Sequence, residues 1–331
     1  MGRLRIAVVG IGKMGLLHAG ILSSLPDIEL VALCDKSAMI LRFARKVFAP
    51  TGVKVLNGIE ELAGLDLDVA YVTTPISSHA AIVRELYATE TARNIFVEKT
   101  LATNYEEAIE LCELAQRING INMVGYMKRF AVTFRKAKDL LDKKALGEIS
   151  SFDAYAYSSD FLGLDPNSKA TASRGETLRD LGCHAIDLAL WIFGGLQVES
   201  LKPKTTTNET SDFASFTVSS SGGVKGQFSV SRSMEGYRYP EINFSIVGSK
   251  GTLRVNDDKL EFKQDNGGSF TYYRHDLGDN VDFWLGEAEY FREDQHFIQS
   301  IIAGHGAEPD FCTASKIDRV IDDVKELGDN R

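Results

Sequence analysis

A glycine-rich turn near the amino terminus has the residue types and spacing that bind the phosphates of a dinucleotide. Gly10-Ile11-Gly12-Lys13-Met14-Gly15 directly follows the apolar run that ends at Val9 and opens a helical pattern. Glycines there allow a tight turn, close approach of the backbone to a pyrophosphate, and close packing of helix on strand. The phosphates then bind N–H groups at the positive end of the helix dipole. We therefore expect Gly10, Gly12, Lys13, Met14 and Gly15 to contact a dinucleotide cofactor.

An acid at the end of the second strand pattern bears on which dinucleotide is bound. Asp35 lies twenty residues after Gly15 and can accept hydrogen bonds from both ribose hydroxyls, whereas its charge repels a 2′-phosphate. Lys36 follows, and a cation there either receives the phosphate of NADP or points to solvent, as most lysines do. We predict NAD, with Asp35 and Lys36 as cofactor-binding residues, and NADP stays an open alternative.

Two further polar clusters follow strand patterns at the point where each strand ends. Thr73-Thr74-Pro75 ends one strand, with His79 entering the next helix, and Glu98-Lys99-Thr100 ends another. Ligands of open α/β sheets bind outside the carboxyl ends of the strands. The expected lining of the cofactor cleft is therefore Thr73, Thr74, Pro75, His79, Glu98 and Lys99. A lysine at a strand end can also be merely solvated, so position alone leaves the role of Lys99 open.

A third cluster combines a histidine with carboxylates in the second half of the chain. Asp180, His184 and Asp187 are spaced i, i+4, i+7 and share one face of a predicted helix. A histidine between two acids has the parts of a general base with an orienting acid. The alternative is a helix N-terminus with its usual acids and a structural histidine, and the spacing does not choose between the two.

Two different domains must position these residues. Six strand patterns alternate with helical patterns up to Gly125, which predicts βαβ units and a parallel sheet with helices on both faces. Period-2 strands joined by turns such as Gly222-Gly223 then predict a mostly antiparallel sheet, with one helix inside it and two helices at the end. The predicted class is α/β: a dinucleotide-binding Rossmann domain over 1–125 and an α+β domain with a large, open sheet over 126–331.

Composition excludes several classes of protein. The 331 residues suit about two domains, and the formal net charge of −9 gives nucleic acid no basic field to bind. No apolar run approaches the roughly 18 residues of a membrane span, and the amino terminus shows no signal-peptide pattern. The four cysteines form no C-x-x-C pair, which predicts reduced thiols, no metal site and a cytoplasmic protein.

Taken together, these motifs resemble the Gfo/Idh/MocA family of oxidoreductases (glucose–fructose oxidoreductase, inositol dehydrogenase, rhizopine catabolism). The similarity runs along nearly the whole chain. Its residues are the glycine turn with His18, the Thr-Pro turn with His79, Val97-Glu98-Lys99, Val124-Gly125-Tyr126 with Lys128-Arg129-Phe130, Leu146-Gly147-Glu148-Ile149, the Asp180-to-Asp187 segment and Gly248-Ser249-Lys250-Gly251. The order and spacing of these motifs are specific, whereas each motif by itself is weak.

The resemblance implies a catalytic lysine, aspartate and histidine at Lys99, Asp180 and His184. In the implied reaction, His184 takes the proton of a secondary alcohol, Asp180 orients His184, and Lys99 stabilises the developing oxyanion while a hydride goes to the nicotinamide. Family members usually have proline after the lysine, and Thr100 stands there instead. The resemblance also implies a homodimer or homotetramer formed through the C-terminal sheet.

The substrate that the resemblance implies is a sugar, an inositol or a related polyol. The candidate substrate-binding residues are Tyr126, Arg129, Asp160, Arg179 and Tyr237. Arg179 could instead form an ion pair at its helix end. The loop-like stretch Phe161 to Glu176 is a candidate lid. Two alternatives remain: a dinucleotide-binding sensor without catalysis, and an NADP-dependent reductase of a sugar-like carbonyl.

Overall fold

The structure is a computed structural model that describes residues 2–164, 176–201, 212–281 and 288–329. The chain forms two compact units. The first comprises the described residues of Met1–Met127 and Val281–Ser315, and the second those of Lys128–Asn280 and Lys316–Arg331. Residues 288–315 therefore pack with the first unit, although they follow most of the second in sequence. The division of cofactor and substrate binding at residues 125/126 stays a prediction.

A six-stranded parallel sheet forms the centre of the first unit. Its strands are β1 Leu4–Val9, β2 Ile28–Cys34, β3 Lys54–Leu56, β4 Val69–Val72, β5 Asn94–Glu98 and β6 Asn122–Gly125. The order in the sheet is β3-β2-β1-β4-β5-β6, with every pair parallel. This order reverses direction at β1 and β4, and ligands of doubly wound sheets bind at such a switch point. The predicted Rossmann topology is confirmed.

Helices of the first unit connect the strands. They are α1 Lys13–Ser24, α2 Ala38–Phe48, α3 His79–Ala88 and α4 Tyr105–Ile118, and α7 Ala288–Ala303 packs on α1. All residues of β4 and β5 are buried because helices cover both faces of a parallel sheet. These strands therefore do not alternate between polar and apolar residues. Their signal in the sequence is a short apolar run.

An eight-stranded sheet forms the centre of the second unit. Its strands are β7 Ile149–Tyr157, β8 Leu196–Leu201, β9 Ala214–Ser220, β10 Lys225–Ser231, β11 Glu241–Gly248, β12 Gly251–Asn256, β13 Lys259–Gln264 and β14 Ser269–Tyr273. The order is β14-β13-β12-β11-β7-β10-β9-β8, and only the β7–β10 pair of these strands is parallel. The predicted open, mostly antiparallel sheet is confirmed, with β8 and β13 as additional strands.

One face of this sheet is apolar and packs against helices. Phe152, Phe216, Phe228 and Phe244 alternate with polar residues and are at most 1% exposed. Helices α5 Val132–Asp142 and α6 Cys183–Phe193 contact β12 and β7, respectively. The last helix, α8, runs from Phe311 to Asp329. None of the described helices is long and apolar enough to cross a membrane.

Two cysteines differ from the expectation of four reduced thiols. Cys112 on α4 and Cys312 on α8 form a disulfide across 200 residues of sequence, whereas Cys34 and Cys183 are buried thiols. The expectation relied on the distance between cysteines in sequence. It is wrong for this pair because residues 288–315 belong to the first unit and place Cys312 beside Cys112.

Candidate active site

The glycine turn has the backbone geometry that a phosphate-binding loop needs. Gly10 adopts φ +89°, and a Cβ there would lie 2.6 Å from the Thr74 side chain. A Cβ on Gly15 would lie 1.9 Å from the Gly10 carbonyl oxygen, so α1 approaches β1 as only glycine permits. A Cβ on Gly12, by contrast, would meet nothing within 4 Å. The space that a pyrophosphate needs is therefore open over the middle glycine.

The first turn of α1 leaves its N–H groups for a ligand. Gly12 is the N-cap, no side chain caps it, and no acid lies in the first turn. Three or four N–H groups at a helix start lack intrahelical partners, and the dipole favours an anion there. Gly12 and Lys13 are exposed and Met14 is half-buried. These features fit the diphosphate of a dinucleotide without any basic side chain.

Asp35 holds the other side of the same loop. Its Oδ2 accepts a hydrogen bond from the Ile11 N–H at 2.9 Å, and its Oδ1 accepts one from the Ser37 N–H at 2.8 Å. A carboxylate has about four acceptor positions, so two remain for ribose hydroxyls. Lys36 is exposed. The contacts of Asp35 therefore suit NAD and also explain how the carboxylate fixes the loop.

His79 connects the two strand-end turns and is completely buried. Its Nδ1 lies 2.8 Å from the Thr100 carbonyl oxygen, and its Nε2 lies 2.8 Å from the Thr74 carbonyl oxygen. Burial lowers the pKa of His79, and the two backbone contacts oppose that effect only in part. Each ring nitrogen faces a backbone carbonyl oxygen, so the neutral ring that the lowered pKa favours donates a hydrogen bond to one of the two turns and packs against the other.

A chain of buried hydrogen bonds leads to the backbone of Lys99. The His18 Nδ1 lies 2.9 Å from both carboxylate oxygens of Asp294, and its Nε2 lies 3.0 Å from Glu98 Oε1. Glu98 Oε2 in turn accepts a hydrogen bond from the Lys99 N–H at 3.0 Å. His18 and Asp294 are 0% exposed and Glu98 is 7% exposed. We call His18, Glu98 and Asp294 the buried triad.

The protonation of the buried triad follows from its geometry. Each ring nitrogen of His18 faces a carboxylate, and an imidazole donates from both nitrogens only when it is protonated. Burial alone lowers the pKa of His18, but Asp294 and Glu98 together raise it well above the ordinary value of 6.5. Burial raises the pKa of Asp294. We assign the proton to His18 because both of its nitrogens need one to make the observed contacts.

Lys99 itself is half-buried at the carboxyl end of β5. The Lys99–Thr100 peptide bond is cis. Thr100 is completely buried, and its hydroxyl donates to the Ala102 carbonyl oxygen at 3.2 Å. The turn that carries Lys99 is thus fixed before the lysine by Glu98 and after it by Thr100 and His79.

The acid and histidine of the third cluster lie on the segment that opens α6. Asp180 is in a π-helical turn, Leu178–Gly182, which continues directly into α6, where His184 is in the first turn. Such π-turns within helices are frequent at functional sites. His184 is 7% exposed and the Asp180 side chain 13%. The expected single α-helix over 177–193 is therefore interrupted at the acid.

Arg232, which the sequence analysis did not single out, contacts the predicted catalytic acid. Its Nη1 donates to Asp180 Oδ2 at 3.1 Å. The guanidinium lies over the Phe161 ring, 4.0 Å from the centroid, and the Arg232 N–H donates to Asp212 Oδ2 at 2.6 Å. Arg232 directly follows β10, at the end of an alternating strand. A charged residue at the end of a strand with buried alternate positions is the feature of the sequence that could have indicated a functional role for Arg232.

Two arginines of the predicted substrate site form buried ion pairs with carboxylates. Arg129 pairs with Asp187, the third residue of the polar helix face. Arg129 Nε donates to both carboxylate oxygens of Asp187 at 2.9 Å, and its Nη2 donates to Oδ1 at 2.6 Å. Arg179 pairs with Asp318 and Asp322. Burial raises the pKa of Asp318 to about 8, and Arg179 opposes the shift. Of the two alternatives for Arg179, the ion pair is the contact observed.

The other predicted substrate residues lie in different environments. Tyr126 is completely buried, Asp160 is exposed, and Tyr237 packs its ring edge-on against Tyr155 and Tyr157. Residues 165–175 of the predicted lid lie outside the described residues. A substrate role for Tyr126, Arg129, Asp160, Arg179 and Tyr237 stays a prediction.

Asp294 of the buried triad was also missed. It lies on α7, almost 200 residues after Glu98, and its helix carries the buried acids Glu289, Glu293 and Asp294 among apolar residues. Acids at the buried positions of an amphipathic helix need partners, which is the signal that the sequence offered.

The parallel sheet of order 3-2-1-4-5-6, with a glycine loop open over its middle residue and an acid after the second strand, defines a dinucleotide-binding Rossmann protein. Residues 4–126 match a family model described as an oxidoreductase family with an NAD-binding Rossmann fold, and residues 134–254 match one described as the GFO/IDH/MocA C-terminal domain. The chain belongs to the GFO/IDH/MocA family of oxidoreductases. The resemblance, the fold and NAD as the cofactor are thereby confirmed.

Individual relatives are more distant. Inositol 2-dehydrogenase 3 of Saccharopolyspora erythraea is 25% identical over 262 residues, covering 77% of this chain and 73% of that protein. Trans-1,2-dihydrobenzene-1,2-diol dehydrogenase of Xenopus tropicalis is 26% identical over 255 residues, covering 72% and 70%. The structure of levoglucosan dehydrogenase with NADH superposes with a TM-score of 0.85 at 20% identity, covering 99% of this chain and 97% of that one. This last likeness shows the fold.

Proposed function

We propose that this oxidoreductase interconverts a secondary alcohol and a ketone on a sugar, an inositol or a related polyol. The observation that carries the proposal is that the chain combines an NAD-binding loop with the residue types of the family's catalytic set, Lys99, Asp180 and His184. Lys99 lies at the carboxyl end of β5, where ligands of such sheets bind. Relatives named as inositol and dihydrodiol dehydrogenases support the class of substrate.

The cofactor-binding residues in this proposal are the glycine loop, Asp35, and the turns at Thr73–Pro75 and Glu98–Lys99. The N–H groups of Gly12, Lys13 and Met14 bind the diphosphate, and Asp35 binds the ribose hydroxyls. Bound NAD supplies the hydride acceptor. Lys36 follows Asp35 directly, and His79 supports the turns that follow β4 and β5.

The catalytic residues move and hold one proton. His184 accepts the hydroxyl proton of the alcohol, and Asp180 stabilises the imidazolium that forms. Lys99 donates a hydrogen bond to the same oxygen and stabilises its negative charge as the carbonyl forms. The buried triad fixes the backbone of Lys99, so less conformational freedom is lost when the ammonium group contacts the substrate.

The test is turnover of a substrate panel by variants that retain the cofactor. Lys99→Met and His184→Ala should bind NAD as the native protein does, measured by isothermal titration, and lose about 10²- to 10⁴-fold in kcat. Lys54→Met makes the same change at an exposed lysine on β3 and should keep full turnover. The panel comprises inositols, hexoses and nucleotide sugars, followed by NADH absorbance. Native turnover in Lys99→Met would refute the assignment.

Two alternatives are outcomes of the same experiments. NAD binding without turnover on any panel member supports a dinucleotide-binding sensor. Tighter binding of NADP than of NAD supports an NADP-dependent reductase, for which exposed Lys36 is the supporting residue.

We also propose a homodimer or homotetramer in the cytoplasm. The sheet of the second unit presents half-buried polar residues on alternate positions, among them Thr217, Gln227 and Asn243, which suit an interface. Light scattering measures the mass. The cytoplasm keeps most thiols reduced, whereas Cys112 and Cys312 form a disulfide in the structure. Thiol trapping in cells, followed by fractionation, therefore tests the location, and an oxidised pair recovered from an oxidising compartment would contradict the cytoplasmic proposal.

A further inference from the structure

We propose that Arg232 binds an anionic oxygen group of the substrate, and that the preferred substrate is a sugar acid, a polyol that carries a carboxylate. The inference rests on the proposed function, because it places the group beside the acid assigned to catalysis. It is carried by contacts within the second unit.

Contacts on the backbone and on the guanidinium of Arg232 restrain its conformation. The residue is 5% exposed, and hydrogen bonds fix its backbone on both sides. Its N–H donates to Asp212 Oδ2 at 2.6 Å, and its carbonyl oxygen accepts from the Phe161 N–H at 2.8 Å. The Phe161 ring lies under the guanidinium at 4.0 Å. The side chain therefore has little conformational freedom to lose when it binds a ligand.

One edge of this guanidinium lacks an acceptor among the described residues. Nη1 donates to Asp180, whereas Nε is buried without an acceptor and Nη2 makes no hydrogen bond to any residue that the structure describes. Nε is buried, and a buried donor without an acceptor is unfavourable. The Nε–Nη2 edge carries two parallel N–H groups, which match the two oxygens of a carboxylate. A ligand carboxylate would supply the missing acceptors.

The negative charge of Asp180, next to Arg232, favours a monoanionic ligand over a dianionic one. Asp180 already neutralises much of the guanidinium charge at 3.1 Å. A monoanionic carboxylate can share such an arginine, whereas a dianionic phosphate would bring two charges close to Asp180. The side chains of Arg232 and Asp180 retain 6% and 13% exposure, so a ligand that reaches Asp180 also reaches the guanidinium. Hexuronates and aldonates have the required chemistry.

The experiment measures binding first and turnover second. Isothermal titration of the NADH-loaded protein with matched pairs, such as glucuronate against glucose and gluconate against sorbitol, gives the preference for the acid over the neutral compound. The native protein should prefer the acid by about 10- to 100-fold, the range of a charge-assisted bidentate contact. Glucose 6-phosphate tests the dianion and should bind more weakly than glucuronate.

Two variants separate a substrate role from a structural one. Arg232→Gln and Arg232→Lys should both lose the preference, because lysine keeps the charge but cannot offer two parallel N–H groups. Arg135→Gln changes an exposed arginine on α5 and should keep it. Thermal unfolding of each variant checks that it is folded.

The outcomes are distinguishable from those of the proposed function. A native protein that binds both members of each pair equally overturns the inference. So does an Arg232→Gln variant that weakens acid and neutral ligands by the same factor, since Arg232 would then only support Asp180. Selective acid binding with no turnover of any acid would keep the role of Arg232 and overturn the dehydrogenase proposal instead.

Discussion

Glu98→Gln should destabilise the protein in a way that depends on pH. The substitution keeps the shape of the side chain but removes one of the two carboxylates that face the buried His18. The single amide oxygen of glutamine cannot accept from both His18 and the Lys99 N–H, as the two oxygens of Glu98 do. Breaking a buried ion pair typically costs about 3–5 kcal/mol. We expect about 3 kcal/mol near pH 6, because Asp294 still pairs with His18.

The sign of the pH dependence follows from the raised pKa of His18. A group whose pKa is raised in the folded state contributes its full stability below its unfolded pKa, near 6.5 here. That contribution is lost as the pH rises through the folded pKa. Glu98→Gln lowers the folded pKa, and each unit of lowering removes about 1.4 kcal/mol of that low-pH stability. The difference from the native protein should therefore be largest near pH 6 and shrink toward pH 9.5.

Urea unfolding between pH 5.5 and 9.5 measures this difference. Glu113→Gln, an exposed change on α4, should stay within about 0.5 kcal/mol of the native protein at every pH. Activity gives a second readout, because a displaced Lys99 lowers kcat more than it raises KM. A destabilisation by Glu98→Gln that is the same at all pH values would refute the assignment of the proton to His18.

Three further predictions concern the cofactor, the sheet and the disulfide. Asp35→Ala should weaken NAD binding by about 10- to 100-fold and narrow the preference over NADP, measured by titration with each; equal loss for both cofactors would contradict the role of Asp35. Gly226→Ala should lower the free energy of unfolding by about 1–3 kcal/mol, since a Cβ there would lie 2.1 Å from the Phe152 ring; an unchanged urea midpoint would show that the ring gives way. Cys112→Ser should cost about 2–5 kcal/mol, because the disulfide closes a loop across 200 residues, and reduction of the native protein should reproduce the loss; no effect of either change would mean the bond does not form.

The local pattern of apolar and polar residues predicted most helices and strands. It could not predict which strands, distant in sequence, pair in the sheet. The strands β1–β6 and the glycine loop could be read from apolar runs, turn residues and motif spacing. The strands β8 and β13 are six residues long and carry charges or few apolar residues, which weakened their signal. The parallel pairing of β10 with β7 brings together strands separated by about 70 residues, and neighbouring strands in sequence do not reveal it.

The same limit applies to the candidate site. Asp180 and His184 could be singled out because they are four residues apart, but Arg232 lies 52 residues from Asp180. Asp187 has the spacing of a third catalytic residue, and its pairing with Arg129 depends on a contact across 58 residues. Spacing identifies residues that share one face of a helix. It cannot say which distant charge neutralises them.

The position of His79 has a mechanical consequence for the first unit. One buried ring lies between the carbonyl oxygens of Thr74 and Thr100, 2.8 Å from each, so the turn beside the cofactor loop and the turn that carries Lys99 both pack against His79. The neutral ring donates a hydrogen bond to one of these oxygens, and a shift of either turn changes its contact with the ring. The two turns on adjacent strands are therefore linked through one buried side chain. A redesign of the cofactor side should therefore keep His79 and its contact with the turn that carries Lys99.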